Sequence, residues 1–279
     1  MDLAEKLRRR ESRIFRLPEP ERPEEEDDLQ ERHSHAGADV ARMAARMQGA
    51  LRRLGLKEGG AVLLAPTHTL EQFVLWLAAV VGGHDVLLAA TPEEGERAGR
   101  LVPNGVEAVI CAPPRKAVWQ EVARATGARL ATLGGHWQGS FFMLQMVRPE
   151  TEMSLVDAPG VTMFMDGARL ALPELMERAD RFAEAAGLAS APAMVLSAPV
   201  LSAPRHLVAA LAALMVDAPL YWLAPEDRER ALQEWPAVPE GTVLLSERDW
   251  LADLAARRGG AGLGERMRFV DIDAVDGQG

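Results

Sequence analysis

The 279-residue sequence has one cysteine, one tyrosine and no apolar run long enough to cross a bilayer. A single thiol, Cys111, excludes an internal disulfide, and the charged start MDLAEKLRRRESR lacks the apolar run of a signal peptide. These absences predict a protein of the reducing cytoplasm. The longest apolar stretch, residues 207–216, is closed by Asp217 and Pro219, and its length predicts a buried helix instead of a membrane span.

Basic residues are also scarce relative to acidic ones. The chain has 31 Lys and Arg against 41 Asp and Glu, which gives a net charge of −10. This balance disfavours electrostatic binding to nucleic acid or to anionic lipid. We therefore expect neither nucleic acid nor membrane as a partner.

The sequence has no recognisable set of metal ligands or catalytic groups. Its six histidines are scattered and only His33 and His35 are close together, whereas a metal site needs three or four converging ligands. The serines at predicted strand ends lack the strand–GxSxG–helix context of a nucleophile elbow. The run GGAGLG at 259–264 follows a helix pattern instead of a strand, which argues against a nucleotide loop. We expect no catalytic residue, no metal and no cofactor.

The first 34 residues differ in composition from the rest of the chain. They contain the run PEPERPEEEDD, in which proline and like charges disfavour a packed structure. The sequence therefore predicts a mobile acidic arm over residues 1–34. From Asp39, apolar residues recur at helical spacing up to Gly55, where a helix C-cap is expected.

Short apolar runs then alternate with helix-length segments. This alternation predicts an α/β fold of βαβ units with mostly parallel sheets covered by helices. Thr69 and Gln72 have capping-box spacing at the start of one such helix. A break after residue 134 separates two predicted lobes, 35–150 and 151–279, although one continuous sheet stays open. The predicted strands are at 61–65, 85–89, 107–111, 128–133, 193–197, 219–224, 242–246 and 268–272.

Three segments resemble the adenylate-forming (AMP-binding) acyl- and aryl-acid ligases. Residues 55–91 resemble the family's glycine turn, strand, capped loop, apolar helix and second strand. VTMFMDGARLALPELMERADRFAEAAGL resembles its phosphate-loop hairpin and following helix, and MVLSAPVLSAPRHLVAALAALMVDAPLYWL its strand, proline turn, helix and strand. The resemblance implies the fold of the ligases' N-terminal domain over about residues 39–275.

The sequence departs from this family at the phosphate loop. Family members have a Thr/Ser/Gly-rich loop ending in Pro-Lys-Gly, whose N–H groups and lysine hold the ATP phosphates. Here Asp166-Gly167 stands between two strand-like segments, which predicts a tight two-residue hairpin turn. The carboxylate of Asp166 adds repulsion at the family's phosphate position, and Arg169 is the one candidate to replace the lysine.

Two further departures concern the proline turn and the end of the chain. The family commonly has a histidine or an aromatic residue three positions after the proline, where Ser202 follows Pro199 here, and His206 lies four residues further on. Gly279 precedes the family's adenine-, metal- and ribose-binding motifs and its C-terminal lid with the catalytic lysine. A possible acyl pocket would be lined by Trp137, Ser202, His206 and Trp222.

These features predict a catalytically inactive, ligase-like binding, scaffolding or accessory subunit of an acyl- or aryl-processing biosynthetic system. Its expected partners are a biosynthetic enzyme or carrier protein and an acyl or aryl ligand, and exposed apolar lobe faces would favour a homodimer. The alternative is half of a split AMP-forming ligase completed by another polypeptide. A small-molecule sensor of another class also stays open.

Overall fold

The computed structural model describes residues 3–17, 34–133, 160–164, 167–229, 238–257 and 267–274. The chain divides into two compact units. The first unit comprises Met1–Val40, Met176–Val200 and Arg205–Gly279, and the second comprises Ala41–Leu175 and Leu201–Pro204. Each unit is therefore built from separate stretches of the chain. The sequence predicts instead two consecutive lobes divided near residue 150.

The described residues of each unit include a six-stranded sheet. The described helices are α1 (Leu3–Arg9), α2 (Gly37–Arg53), α3 (Leu70–Val81), α4 (Pro92–Gly99), α5 (Lys116–Thr126), α6 (Leu172–Ala185), α7 (Pro204–Met215) and α8 (Arg248–Arg257). The described strands are β1 (Ile14–Leu17), β2 (Ser34–His35), β3 (Ala61–Leu64), β4 (Asp85–Leu88), β5 (Val106–Cys111), β6 (Arg129–Thr132), β7 (Val161–Met163), β8 (Arg169–Ala171), β9 (Met194–Ser197), β10 (Leu220–Leu223), β11 (Thr242–Ser246) and β12 (Met267–Asp271).

The two sheets share one topology. The strand order is β12-β11-β9-β10-β1-β2 in the first unit and β6-β5-β3-β4-β7-β8 in the second. In each sheet the first five strands are parallel and the last is antiparallel to its neighbour. In the first sheet, β10 lies on one side of β9 and β11 lies on the other. In the second sheet, β4 lies on one side of β3 and β5 lies on the other. The direction of winding therefore reverses between β9 and β11, and between β3 and β5.

Eight predicted strands agree with the structure to within about a residue at each end. Short apolar runs identify them because parallel strands covered by helices are buried on both faces. Every residue of β3, β9 and β11 is buried. The fold class predicted from the sequence is confirmed. Among the helices that the structure describes, none has both the length and the apolar composition that crossing a bilayer requires.

The start of α3 differs in one detail from the predicted capping box. The Thr69 hydroxyl accepts a hydrogen bond from the Gln72 N–H at 3.3 Å, as predicted. The Gln72 side chain does not complete the box, because it bonds Thr67 and donates to the carbonyl of Ala65 at 2.8 Å. All twelve residues of α3 are buried, so the glutamine satisfies buried backbone groups of the preceding loop.

The N-terminal segment corrects the prediction of an arm over residues 1–34. Residues 3–17 form α1 and β1, and β1 pairs in parallel with β10 and antiparallel with β2. Leu7 and Ile14 are fully buried. Their apolar side chains are too few to give a sequence pattern, but they pack within the first unit. The acidic run at 18–33 lies outside the described residues.

Candidate functional site

The β7–β8 hairpin is formed by the segment whose sequence resembles the ligases' phosphate-loop hairpin. Its strands pair through Val161 and Ala171, Thr162 and Leu170, and Met163 and Arg169. Phe164 continues the pairing, since its N–H donates to the carbonyl of Ala168 at 3.0 Å and its carbonyl accepts from the Gly167 N–H at 3.0 Å. The predicted antiparallel hairpin is confirmed.

The connection is one residue longer than predicted. Three residues, 165–167, separate the bonded pair Phe164 and Ala168, where the sequence predicts a two-residue turn at Asp166-Gly167. Gly167 has φ of +83°, which fits the left-handed last position of a three-residue hairpin loop. Asp166 lies outside the described residues, and Arg169 is an exposed residue of the edge strand β8.

The base of this hairpin is attached to the interior of the second unit. The Trp76 indole N–H donates to the Thr162 hydroxyl at 3.0 Å, and both side chains are buried. The Val161 N–H donates to the Asp85 carboxylate at 3.2 Å, and the Gly160 N–H to the Val80 carbonyl at 3.0 Å. These contacts hold β7 against α3 and β4, so the hairpin is part of the sheet.

A second polar cluster lies at the carboxyl ends of β9 and β11 in the first unit. The Arg228 guanidinium donates to the Ser197 hydroxyl at 2.9 Å and carbonyl at 2.8 Å, to the Ser246 hydroxyl at 3.1 Å, and to the Glu247 carboxylate. The Trp250 ring lies 4.6 Å from the guanidinium. Ser246 also contacts Glu247 at 2.8 Å. Four of these side chains, those of Arg228, Ser197, Ser246 and Glu247, form a hydrogen-bonded closure across the point where the winding reverses, and the Trp250 ring covers the guanidinium.

Of this closure, the sequence drew attention only to the serines at the strand ends, Ser197 and Ser246, which lack the context of a nucleophile elbow. Arg228 and Glu247 are 19 positions apart and lie in connecting segments. A useful signal was that β9 and β11 both end in serine, because adjacent parallel strands bring their carboxyl ends to one edge. That edge is where doubly wound sheets bind ligands, and here the structure fills it with paired side chains.

A third cluster surrounds His206 in the first turn of α7. Its Nδ1 lies 3.3 Å from the Pro199 carbonyl oxygen, and its Nε2 lies 3.5 Å from Asp273 Oδ1. Arg205 Nε donates to the same Asp273 oxygen at 2.5 Å. Burial and the neighbouring Arg205 lower the pKa of His206, although Glu247, Pro199 and Asp273 act in the opposite direction. His206 is therefore neutral near pH 7.

The four residues of the predicted acyl pocket have different locations. His206 lies in α7 and Trp222 is buried in β10, both in the first unit. Ser202 belongs to the segment Leu201–Pro204 of the second unit. Trp137 lies outside the described residues. The pocket stays a prediction.

The single cysteine, Cys111, has the surroundings of a core residue. Cys111 is buried at the end of β5, and burial raises the pKa of its thiol above its ordinary value of 9.0, so it is protonated at neutral pH. Within the described ranges, no group of three or more His, Cys, Asp or Glu side chains could hold a metal ion.

Comparison with known proteins identifies the fold. No family model matches the sequence, and no curated protein matches it either. Solved structures do match. ATP-bound MatB from Rhodopseudomonas palustris is 18% identical with a TM-score of 0.72, over 96% of this chain and 54% of that one. Coronafacic acid ligase from Pectobacterium brasiliense is 11% identical with a TM-score of 0.68, over 97% and 55%. The long-chain-fatty-acid-CoA ligase FadD1 from Archaeoglobus fulgidus is 13% identical with a TM-score of 0.65, over 96% and 62%.

These structures are adenylate-forming ligases, and the chain has the α/β fold of their corresponding region. The resemblance seen in the sequence is confirmed at the level of the fold. The chain spans about half the length of the first of these ligases. At identities below 20% the likeness carries no residue roles, so function is argued from the residues of this chain.

Proposed function

We propose that this chain is a noncatalytic, ligase-fold protein that serves as a binding or accessory subunit in a system processing acyl or aryl groups. Its partners would be a biosynthetic enzyme or a carrier protein, and its ligand an acyl or aryl group. The fold supports the connection to acyl-processing ligases. The hairpin at 160–171 supports the loss of adenylate formation.

The observation that most supports this proposal is the backbone hydrogen bonding of the hairpin. A site for a triphosphate needs several N–H groups that converge on the anion. The N–H groups of Phe164 and Gly167 instead donate to carbonyls of the hairpin itself. Only three positions of the sequence, 165–167, lie between the paired residues Phe164 and Ala168, fewer than the longer Thr/Ser/Gly-rich loop of the ligases needs, and Asp166 adds a negative charge.

The free energy of the missing phosphate contacts can be compared with the free energy of micromolar nucleotide binding. Each charge-assisted phosphate contact contributes about 1.5–3 kcal/mol. A micromolar affinity corresponds to about 8 kcal/mol. Loss of the lysine and of several loop N–H donors would therefore remove most of such an affinity.

We expect the purified chain to show no ATP–pyrophosphate exchange with any of a panel of fatty, aryl and amino acids. We also expect no appreciable thermal shift with millimolar Mg-ATP, because the phosphate contacts are missing. A competent adenylate-forming ligase assayed in parallel supplies the positive control. Carboxylate-dependent exchange by the chain alone would overturn the proposal.

Arg169 is the residue to examine if weak nucleotide binding is seen. Its replacement in Arg169→Gln would abolish that binding if this guanidinium replaced the ligases' lysine. Arg181→Gln is the matched control, because Arg181 is an exposed arginine of α6 that pairs at 4.0 Å with Glu177 on the same helix. Equal effects of the two variants would indicate nonspecific attraction of the anion.

The split-ligase alternative gives a different result in the same assay. Exchange that appears only when a second polypeptide is added would favour it, because the partner would then supply the phosphate contacts. Saturable binding of benzoate or decanoate without exchange supports the ligand-binding form of the proposal. Stable association with a purified carrier protein supports the accessory form. If the chain binds neither benzoate nor decanoate and does not associate with the carrier protein, the proposal is rejected.

A further inference from the structure

Asp273 connects three segments of the first unit. Its Oδ1 accepts from Arg205 Nε at 2.5 Å, and its Oδ2 accepts from the Arg248 N–H at 3.3 Å. Its own N–H donates to Asp271 Oδ1 at 2.8 Å. One carboxylate therefore joins the first turns of α7 and α8 to the turn that follows β12.

His206 faces this carboxylate with a ring that has acceptors on both sides. Nδ1 lies 3.3 Å from the Pro199 carbonyl, and Nε2 lies 3.5 Å from Asp273 Oδ1. A neutral imidazole has one N–H and can donate to only one of them, whereas the imidazolium can donate to both. A change of protonation therefore changes which contacts the ring can make.

Arg205 and His206 both address the same oxygen, Asp273 Oδ1. The charged groups that face the imidazole are Arg205 on its own helix, Glu247 ahead of α8, and Asp273 after β12. The His206 side chain is 6% exposed and cannot turn to water, whereas the Arg205 side chain is 46% exposed. A guanidinium at the surface is hydrated at little cost, and an exposed ion pair contributes little stability.

We propose that His206 is a proton switch: when it is protonated, its Nε2–H takes Asp273 Oδ1, and Arg205 leaves that oxygen for solvent. The proton comes from the medium and resides on Nε2, and no covalent bond changes. The result is an exposed guanidinium at the carboxyl edge of the first unit's sheet under acidic conditions. The switch does not rest on the proposed function.

Nuclear magnetic resonance can follow both partners between pH 8 and pH 5 in the full chain. The Arg205 Nε–Hε resonance should move from a hydrogen-bonded to a solvent-exposed shift, with the midpoint of the His206 ring titration. In His206→Gln the Arg205 resonance should not respond to pH over this range. An Arg205 resonance that stays unchanged through the His206 titration, or that moves equally in His206→Gln, overturns the switch.

Two charge-removing variants test whether Arg205 and His206 compete. Arg205→Gln should raise the pKa of His206, because it removes both the repelling cation and the competing donor. Arg248→Gln is the matched control, since it removes the same charge from this edge but its guanidinium pairs with Asp271 at 2.8 Å. The pKa of His206 in this control should stay close to that of the unmodified chain. No rise in Arg205→Gln, or an equal rise in both folded variants, contradicts the proposal.

Discussion

Arg10 shows how one buried side chain can hold a terminal segment in place. Its guanidinium donates to the carbonyls of Ala213 at 3.2 Å and Leu214 at 3.0 Å, and also to those of Val216 and Ala218. These carbonyls lie in the last turn of α7 and just after it, where a helix leaves acceptors unsatisfied. Burial lowers the pKa of Arg10 to about 10, so it stays charged at neutral pH.

Replacing Arg10 by methionine should therefore destabilise the first unit. We expect Arg10→Met to lower the free energy of unfolding by about 3 kcal/mol, because the buried carbonyls lose charged donors. Urea denaturation measures the change. Arg9→Met is the control and should change stability by less than about 0.5 kcal/mol, since Arg9 is exposed and pairs with Glu5 one turn away. Equal losses would show that Arg10 does not cap α7.

The β7–β8 hairpin has a residue with positive φ, Gly167, in its connection. Gly167 adopts φ of +83°, and a Cβ added there would meet open space. A substitution is therefore limited by backbone conformation and not by a clash. Asparagine tolerates the left-handed region, whereas β-branched residues do not.

Two substitutions at Gly167 should consequently differ. We expect Gly167→Val to lower the free energy of unfolding by about 1–2 kcal/mol and Gly167→Asn by less than about 1 kcal/mol. Tryptophan fluorescence during urea unfolding is a suitable measurement, because Trp76 bonds Thr162 of β7. Equal effects would mean that the glycine is not needed for its positive φ.

At the scale of the whole molecule, each unit contains, within the part of the chain that the structure describes, a long helix segment that is fully buried. All of α3 is buried in the second unit, and so are residues 206–214 of α7 in the first. By contrast, β6 is an edge strand whose residues are exposed or only partly buried. Resistance to local opening follows the amount of buried contact.

Hydrogen exchange should follow this distribution. We expect the slowest amide exchange in α3 and in residues 206–214 of α7, and faster exchange in β6 and α4. Mass spectrometry of peptic fragments measures it. Faster exchange in α3 than in β6 would contradict the burial pattern described here. Light scattering on the same sample tests the predicted homodimer, which would have twice the chain mass of 30.3 kDa.

Features that depend on neighbouring residues were predicted from the sequence, whereas features that depend on distant segments were missed. The strands β3, β9 and β11 were predicted because their apolar runs are continuous and local. β1 was missed because Arg16 interrupts its apolar run, and its partner β10 lies more than 200 positions away. The hairpin was predicted from Asp166-Gly167, but its length was not, since neighbouring turn types share the same residues.

The sequence by itself determined the α/β class, most strand positions, the N-cap at Thr69 and the antiparallel hairpin at residues 161–171. Each depends on residues a few positions apart. Only the tertiary structure decided the strand order, the assembly of each unit from separate stretches of the chain and the clusters around Arg228 and Asp273. Those depend on contacts between distant segments, which form because parallel strands bring their carboxyl ends to one edge whatever their separation in the chain.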